Sequence, residues 1–267
     1  MIKSISSPTN PLIKNIVLLT DKSKLRKESG TFVVEGQREI LLAIKGGYIP
    51  KTIIFNPTIV VYNQLFDLYG PILFETEMIE VTNLVYNKIA YREGTEGVIA
   101  IFRSTPSELN NITFPQGSPL ILVAEAPEKP GNIGALLRTA DAAGVDTFVI
   151  ANPNTDVFNP NIIRSSVGAV FTNKVVSGTT SDIIAFLKKN KIRIVCATLS
   201  ETSVSCYTQD FTVPTAIVVG TESTGLSDEW INAADVNVLI PMKGKIDSMN
   251  VSVSASVLLF EAVRQRL

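Results

Sequence analysis

The spacing of apolar positions changes several times in the first hundred residues. Residues 11–28 repeat apolar side chains at helical spacing with lysines between them, which predicts an amphipathic, basic helix. TFVVEG, residues 31–36, reads as a strand ending at Gly36, and QREILLAIKGG as a helix stopped by Gly46 and Gly47. KTIIFN is a second strand, VVYNQLFDLYG a short helix and PILFE a third strand. TEMIEVTNLVYNKIA carries helical periodicity, and GVIAIF, residues 97–102, is another strand. This alternation predicts a small α/β domain over residues 1–105. Residues 103–118 collect Pro, Ser, Asn and Gly without a period, so a linker is expected at 106–117.

From residue 118 the strands become continuous apolar runs: PLILVAEA, DTFVIA, NKVVS, IRIVCATL, TAIVVGTE and DVNVLI. Helices fall between them, in EKPGNIGALLRTADAAGV, from about Asn161, in SDIIAFLKKN and in LSDEWINAA. Such runs predict a mostly parallel sheet covered on both faces, over residues 118–267. The last strand passes through the polar loop MKGKIDSMN into a final helix, with Asn250 as a good N-cap. Ser252, Ser254 and Ser256 keep its first turns narrow, which permits close approach to a backbone or ligand.

Composition narrows the function classes. Hydrophobic residues make up 45% of the 267 and charged residues 18%, enough to bury a large core. No apolar run reaches transmembrane length and the N-terminus lacks a signal-peptide core, so a cytoplasmic protein with no membrane partner is expected. The absence of histidine excludes a Ser-His-Asp triad and His-based metal sites. Two cysteines and scattered acids make no metal centre, and Cys196 reads as a buried thiol. The net charge of −1 does not mark a generic nucleic-acid binder. Yet residues 1–27 hold Lys3, Lys14, Lys22, Lys24, Arg26 and Lys27 against Asp21 alone, which suits either a polyanion partner or a solvated surface helix.

Three loops follow strands, where open α/β sheets bind ligands. In PGNIGALLRTADAAG, Gly131 and Gly134 allow close backbone approach, and Arg138 reads as a phosphate clamp on the first turns of the helix or as a surface partner of Asp141. In VVGTESTGL, Gly220 and Gly225 flank Glu222, which either receives ligand donors or caps the next helix. The third loop carries Lys243, Lys245 and Asp247, which read equally as solvated charges.

Taken together and in this order, the loops resemble the SpoU (TrmH-like) branch of the SPOUT RNA methyltransferases. The matching residues are Asn132-x-Gly134-x-x-x-Arg138-x-Ala140, Gly220-x-Glu222-x-x-Gly225-Leu226, and Ile240-Pro241-Met242 followed by Ser248-Met249-Asn250-Val251-Ser252. Arg164-x-Ser166-x-Gly168-x-x-Phe171 matches too, although Thr172-Asn173-Lys174 stand where the family often has a proline. NPLIKNI…FVVEGQREI looks like the family's L30e-like substrate-binding domain.

The resemblance implies a C-terminal domain with a deep trefoil knot, where the strand pattern alone predicts an ordinary Rossmann-like sheet. It implies S-adenosylmethionine as cofactor, held at Leu199, Gly220, Ile240 and Met249, the last usually Leu in the family. It implies a homodimer whose subunits share each site, and an RNA ribose 2′-hydroxyl as acceptor, with 23S rRNA preferred and tRNA as the alternative. Arg138 would contact the target phosphate and hydroxyl and assist proton loss, since a guanidinium of pKa above ~12 is a poor base at rest. Asn132 would orient the ribose or Arg138, and Glu222, Ser248 and Asn250 would position neighbouring groups. A nucleotide oxidoreductase is disfavoured by the missing GxGxxG, and a catalytically silent RNA-binding scaffold by the intact site residues.

Overall fold

Asn10 and Pro11 start the first helix. The Asn10 side chain accepts from the Leu12 amide at 2.9 Å, and Pro11 occupies the first helical position, where its missing N–H costs nothing. The computed structural model describes residues 2–91, 96–105, 108–114, 117–246 and 248–267. Asp247 and linker residues 106, 107, 115 and 116 therefore lie outside the described residues. Contacts divide the chain into two units: residues 1–105 with 156–172, and residues 106–155 with 173–267.

The first unit begins with β1 (Lys3–Ile5), α1 (Pro11–Asp21), α2 (Ser23–Ser29), β2 (Thr31–Glu35), α3 (Gln37–Lys45) and β3 (Pro50–Phe55). It continues with α4 (Tyr62–Tyr69), a 3-10 turn (Gly70–Phe74), β4 (Glu77–Val81), α5 (Asn83–Ile89) and β5 (Val98–Arg103). The sheet runs β1-β4-β3-β5-β2, with β5 antiparallel to both neighbours and the other pairs parallel. Ile13, Ile16 and Leu19 of α1 pack with Ile54, Ile79 and Ile99 of the sheet.

Three sequence expectations need correction here. The helix expected over 11–28 breaks at Lys22, whose extended backbone (φ −111°, ψ 106°) separates α1 from α2. PILFE is not a strand: Gly70 at φ +67° and Pro71 turn the chain into the 3-10 turn. The helical period read in 76–90 covers two elements, β4 with Met78, Ile79 and Val81 buried, then α5 capped by Thr82. The three-residue β1 is too short to leave a period.

The second unit opens with β6 (Leu120–Glu125), α6 (Pro130–Ala143) and β7 (Thr147–Ala151). The chain next forms α7 (Pro160–Ser165) and α8 (Ala169–Thr172), which pack in the first unit. The second unit resumes with β8 (Val175–Gly178), α9 (Thr180–Lys189), β9 (Arg193–Ala197), β10 (Val204–Ser205), β11 (Thr215–Val219), α10 (Asp228–Ala233), β12 (Val236–Leu239) and α11 (Val251–Arg266). All seven strands are parallel, in the order β10-β12-β9-β11-β6-β7-β8. Ile121, Val123, Val149, Ile194, Val218 and Trp230 build the core on one face. α6 and α11 pack together, with the Thr139 and Ser256 hydroxyls 3.0 Å apart. Within the expected linker, Ile112 is buried in this core, and Leu109 and Phe114 pack against it. Cys196 is buried as expected, and burial first, then Glu125 and Asp235, pushes its thiol up to about 12. No helix among the described residues is long and apolar enough to cross a membrane.

Residues 156–172 owe their place in the first unit to identifiable contacts, whereas the sequence reading ran one domain unbroken from 118. The Phe158 ring stacks on Phe32 at 4.0 Å between centroids, and Phe171 meets Tyr48 edge-on at 5.4 Å. Gly168 sits at φ +82°, which a side chain would strain, and a Cβ there would stand 2.6 Å from the Leu42 side chain and displace it. Arg26 pairs through Nε with Asp156, both carboxylate and guanidinium being nearly inaccessible to water. Its Nη1 donates to the carbonyls of Leu19 at 2.6 Å and Thr20 at 3.0 Å, which the break at Lys22 brings within reach. Arg26, counted in the sequence among the cations offered to a polyanion, is thus a buried structural ion, while Lys14, Lys22, Lys24 and Lys27 are exposed.

Removing one partner of such a pair leaves an uncompensated buried charge. Arg26→Ala is expected to destabilise the protein by about 3–5 kcal/mol, read from urea unfolding of the full chain. An unfolding midpoint equal to that of the wild type would contradict the assignment of Arg26 to the fold.

Candidate functional site

The site forms where loops leave the carboxyl ends of β6, β11 and β12. The loop after β11 closes on itself: the Thr221 amide donates to the Gly225 carbonyl at 3.0 Å, and the Gly225 amide to the Thr221 carbonyl at 3.2 Å. Both glycines are required. A Cβ on Gly220 would stand 2.2 Å from the Gly225 carbonyl carbon, and Gly225 adopts φ +70°. The Thr224 amide donates to Thr221 Oγ1 at 3.1 Å, which tightens the turn that carries Glu222.

Two helix starts face this turn. Pro130 begins α6 and puts Asn132 in its first turn. Asn250 caps α11: its Oδ1 accepts from the Ser252 amide at 2.9 Å and the Ser252 hydroxyl at 2.6 Å. That leaves its Nδ2 to donate, to Glu222 Oε1 at 2.8 Å and to Asn132 Oδ1 at 3.3 Å. Asn132 Nδ2 donates to the same Glu222 Oε1 at 2.7 Å, and Lys129 Nζ to Oε2 at 2.6 Å. Lys129, then the Asn132 amide, hold the Glu222 carboxyl below its usual range, and the contact raises the Lys129 ammonium. Glu222 is therefore an ionised acceptor at neutral pH, not a poised base.

Beside this cluster lies a cavity of about 640 Å³. This volume lies within the range of about 300–1,000 Å³ of small-molecule sites, which combine mainly apolar walls with a few convergent polar groups. Leu199, Gly220, Ile240 and Met249, the four expected cofactor positions, all line it, and so do Glu222, Ser248 and Asn250. Leu239 and Leu258 add apolar surface. Asn132 instead lines a smaller adjoining cleft with Lys129 and Leu136, and the two share Gly220, Thr221, Glu222 and Val251.

Arg138 is the site residue whose expected position needs correction. It stands on the third turn of α6, exposed, and lines neither the cavity nor the cleft. The helix itself explains this: six residues carry it about 240° around the axis from Asn132. Lys129 was missed in the sequence. No local signal marked it, because an exposed lysine needs no partner and Glu222 lies 93 residues away.

Residues 119–260 match the SpoU rRNA Methylase family, and residues 10–100 match the MRM3-like substrate binding domain. The 23S rRNA (uridine(2479)-2′-O)-methyltransferase of Streptomyces viridochromogenes is 30% identical over 256 residues, 94% of this chain and 88% of that one. The tRNA (guanosine(18)-2′-O)-methyltransferase of Escherichia coli K12 is 35% identical over 148 residues, 55% of this chain and 64% of its own. The crystal structure of an AdoMet-bound rRNA methyltransferase from Sinorhizobium meliloti superposes with a TM-score of 0.90 at 30% identity, covering 100% of this chain and 99% of that one. With the three loops assembled as their motifs require, and with likeness running the length of the chain, this protein belongs to the SpoU rRNA methylase family.

Proposed function

We propose that this protein is an S-adenosylmethionine-dependent methyltransferase that modifies a ribose 2′-hydroxyl in 23S rRNA, in the cytoplasm. The observation that carries the reading is the single cavity lined by all four cofactor positions, adjoining the Lys129–Glu222–Asn132–Asn250 cluster. When bound there, S-adenosylmethionine supplies an electrophilic sulfonium methyl. Leu199, Ile240 and Met249 offer apolar surface to it, and Met249 for the family's usual Leu changes volume little. Glu222 fixes the Asn132 and Asn250 amides, and Ser248 stands at the cavity wall. We infer the trefoil knot from family resemblance; the strand order that sets β9 between β11 and β12 is compatible with it.

The match of residues 10–100 to a substrate-binding domain supports rRNA, because the tRNA-modifying relative aligns with only 55% of this chain. Ribose methylation mapped in total RNA, with and without the gene, is expected to lose one 23S rRNA position. Loss of a tRNA position instead would establish the second reading.

An arginine off the cavity of its own chain suits a site shared between two subunits, and the apolar Val253 and Phe260 of α11 lie half exposed. We therefore propose a homodimer in which Arg138 grips the target phosphate and assists proton loss at a partner's site. Its planar fork is then required, and Lys does not reproduce it. Arg138→Lys and Arg138→Ala are each expected to slow single-turnover methyl transfer by at least ~10²-fold, with cofactor affinity and melting temperature unmoved. Wild-type rates in Arg138→Ala, or a monomeric mass by light scattering at micromolar concentration, would remove this role.

The exposed Lys14, Lys22, Lys24 and Lys27 are proposed to contact RNA phosphates. Reversing their charges is expected to weaken RNA binding and to flatten its salt dependence, by about one unit of slope for each phosphate no longer neutralised. Unchanged affinity and slope would return them to a solvated surface.

A further inference from the structure

Glu222 is held on both carboxylate oxygens, and the cation on Oε2 is a residue to which the resemblance gives no role. An ionised carboxylate has no proton to donate, so a side-chain amide meeting it must turn its nitrogen toward it. Asn250 would keep its orientation in any case, because its oxygen caps α11 through the Ser252 amide. Asn132 has no such second anchor. Its nitrogen goes to Glu222 Oε1, and its oxygen receives one long contact of 3.3 Å from Asn250.

We propose that Lys129 is a positioning residue for methyl transfer: through Glu222 it fixes the Asn132 amide so that the Asn132 side-chain oxygen accepts from the substrate hydroxyl. By holding Oε2, Lys129 keeps Oε1 turned toward the Asn132 and Asn250 amides; without that ion pair the carboxylate is free to turn away, and Asn132 keeps only the 3.3 Å contact from Asn250. Among the described residues the charged groups lining the cleft are Glu128, Lys129 and Glu222. Lys129 is thus the cation that opposes protonation of Glu222, and the contacts from α6 and α11 are neutral amides. Glu128 strengthens the charge on Lys129. The inference rests on the reading of this site as a ribose methyltransferase.

The sign of the pH effect follows. The Glu222 carboxyl lies below its usual range, chiefly through Lys129, so the ordered state is lost as pH falls through that lowered value. Without Lys129, the loss occurs at higher pH. The test uses full-length protein, tritiated S-adenosylmethionine and 23S rRNA from cells lacking the gene. Lys129→Met is expected to lower kcat/KM at least about tenfold, the scale of losing a hydrogen bond to a charged group, and to move its acid limb upward. Cofactor affinity should stay at the wild-type value, and Lys129→Arg should restore both rate and limb. The double variant Lys129→Met with Glu222→Gln should be no slower than Glu222→Gln alone, because the lysine acts only through the carboxylate. A wild-type rate and pH profile in Lys129→Met, or rate effects that multiply in the double variant, would overturn the role of Lys129. No transfer by the wild-type protein would overturn the underlying reading as well.

Discussion

The Glu222 carboxylate ties three separated stretches of chain into one site. One oxygen accepts from Asn132 at the start of α6 and from Asn250 at the start of α11, and the other accepts from Lys129. The closed loop after β11 presents Glu222 to these partners, and that closure depends on the absence of a side chain at Gly220 and the left-handed backbone of Gly225. The chemistry therefore hangs on a backbone constraint. Two glycines set the turn, the turn presents the acid, and the acid orients two amides beside a cavity large enough for a nucleoside-sized ligand.

The elements that carry the site were legible because their signals are local. Gly220, Gly225 and the cap residue Asn250 announce a turn and a helix start by their own conformational preferences. The continuous apolar runs of β6, β7, β9 and β11 announce a covered parallel sheet. What escaped depends on partners far away in sequence. Glu77–Val81 shows the period of the helix that follows it, and only its pairing with β1 and β3 makes it a strand. Arg26 looks like its lysine neighbours until Asp156, 130 residues away, takes its charge. Lys129 and Glu222 are separated by 93 residues, and no spacing rule joins them. Arg138 lies off the cavity of its own chain for a local reason, its angular offset from Asn132 on α6, which follows once the helix starts at Pro130.

Residues 156–172 belong to the first unit although they lie between stretches of the second. The chain passes between units three times, after residues 105, 155 and 172. Phe158, Phe171 and Asp156 complete the packing of the first unit, although the family match places all three within the methylase region 119–260. The motif Arg164-x-Ser166-x-Gly168-x-x-Phe171 thus has a packing explanation: Gly168 admits Leu42, Phe171 joins the ring cluster, and the Ser166 hydroxyl donates to the Ile163 carbonyl at 3.0 Å.

The most direct measurement follows the methyl group itself. Purified protein, labelled S-adenosylmethionine and 23S rRNA isolated from cells lacking the gene are combined, and the RNA is digested to nucleosides. The account predicts that the label appears in one 2′-O-methylated nucleoside, from one position in the rRNA. Label on a base, or no label above that of heat-denatured protein, would contradict it.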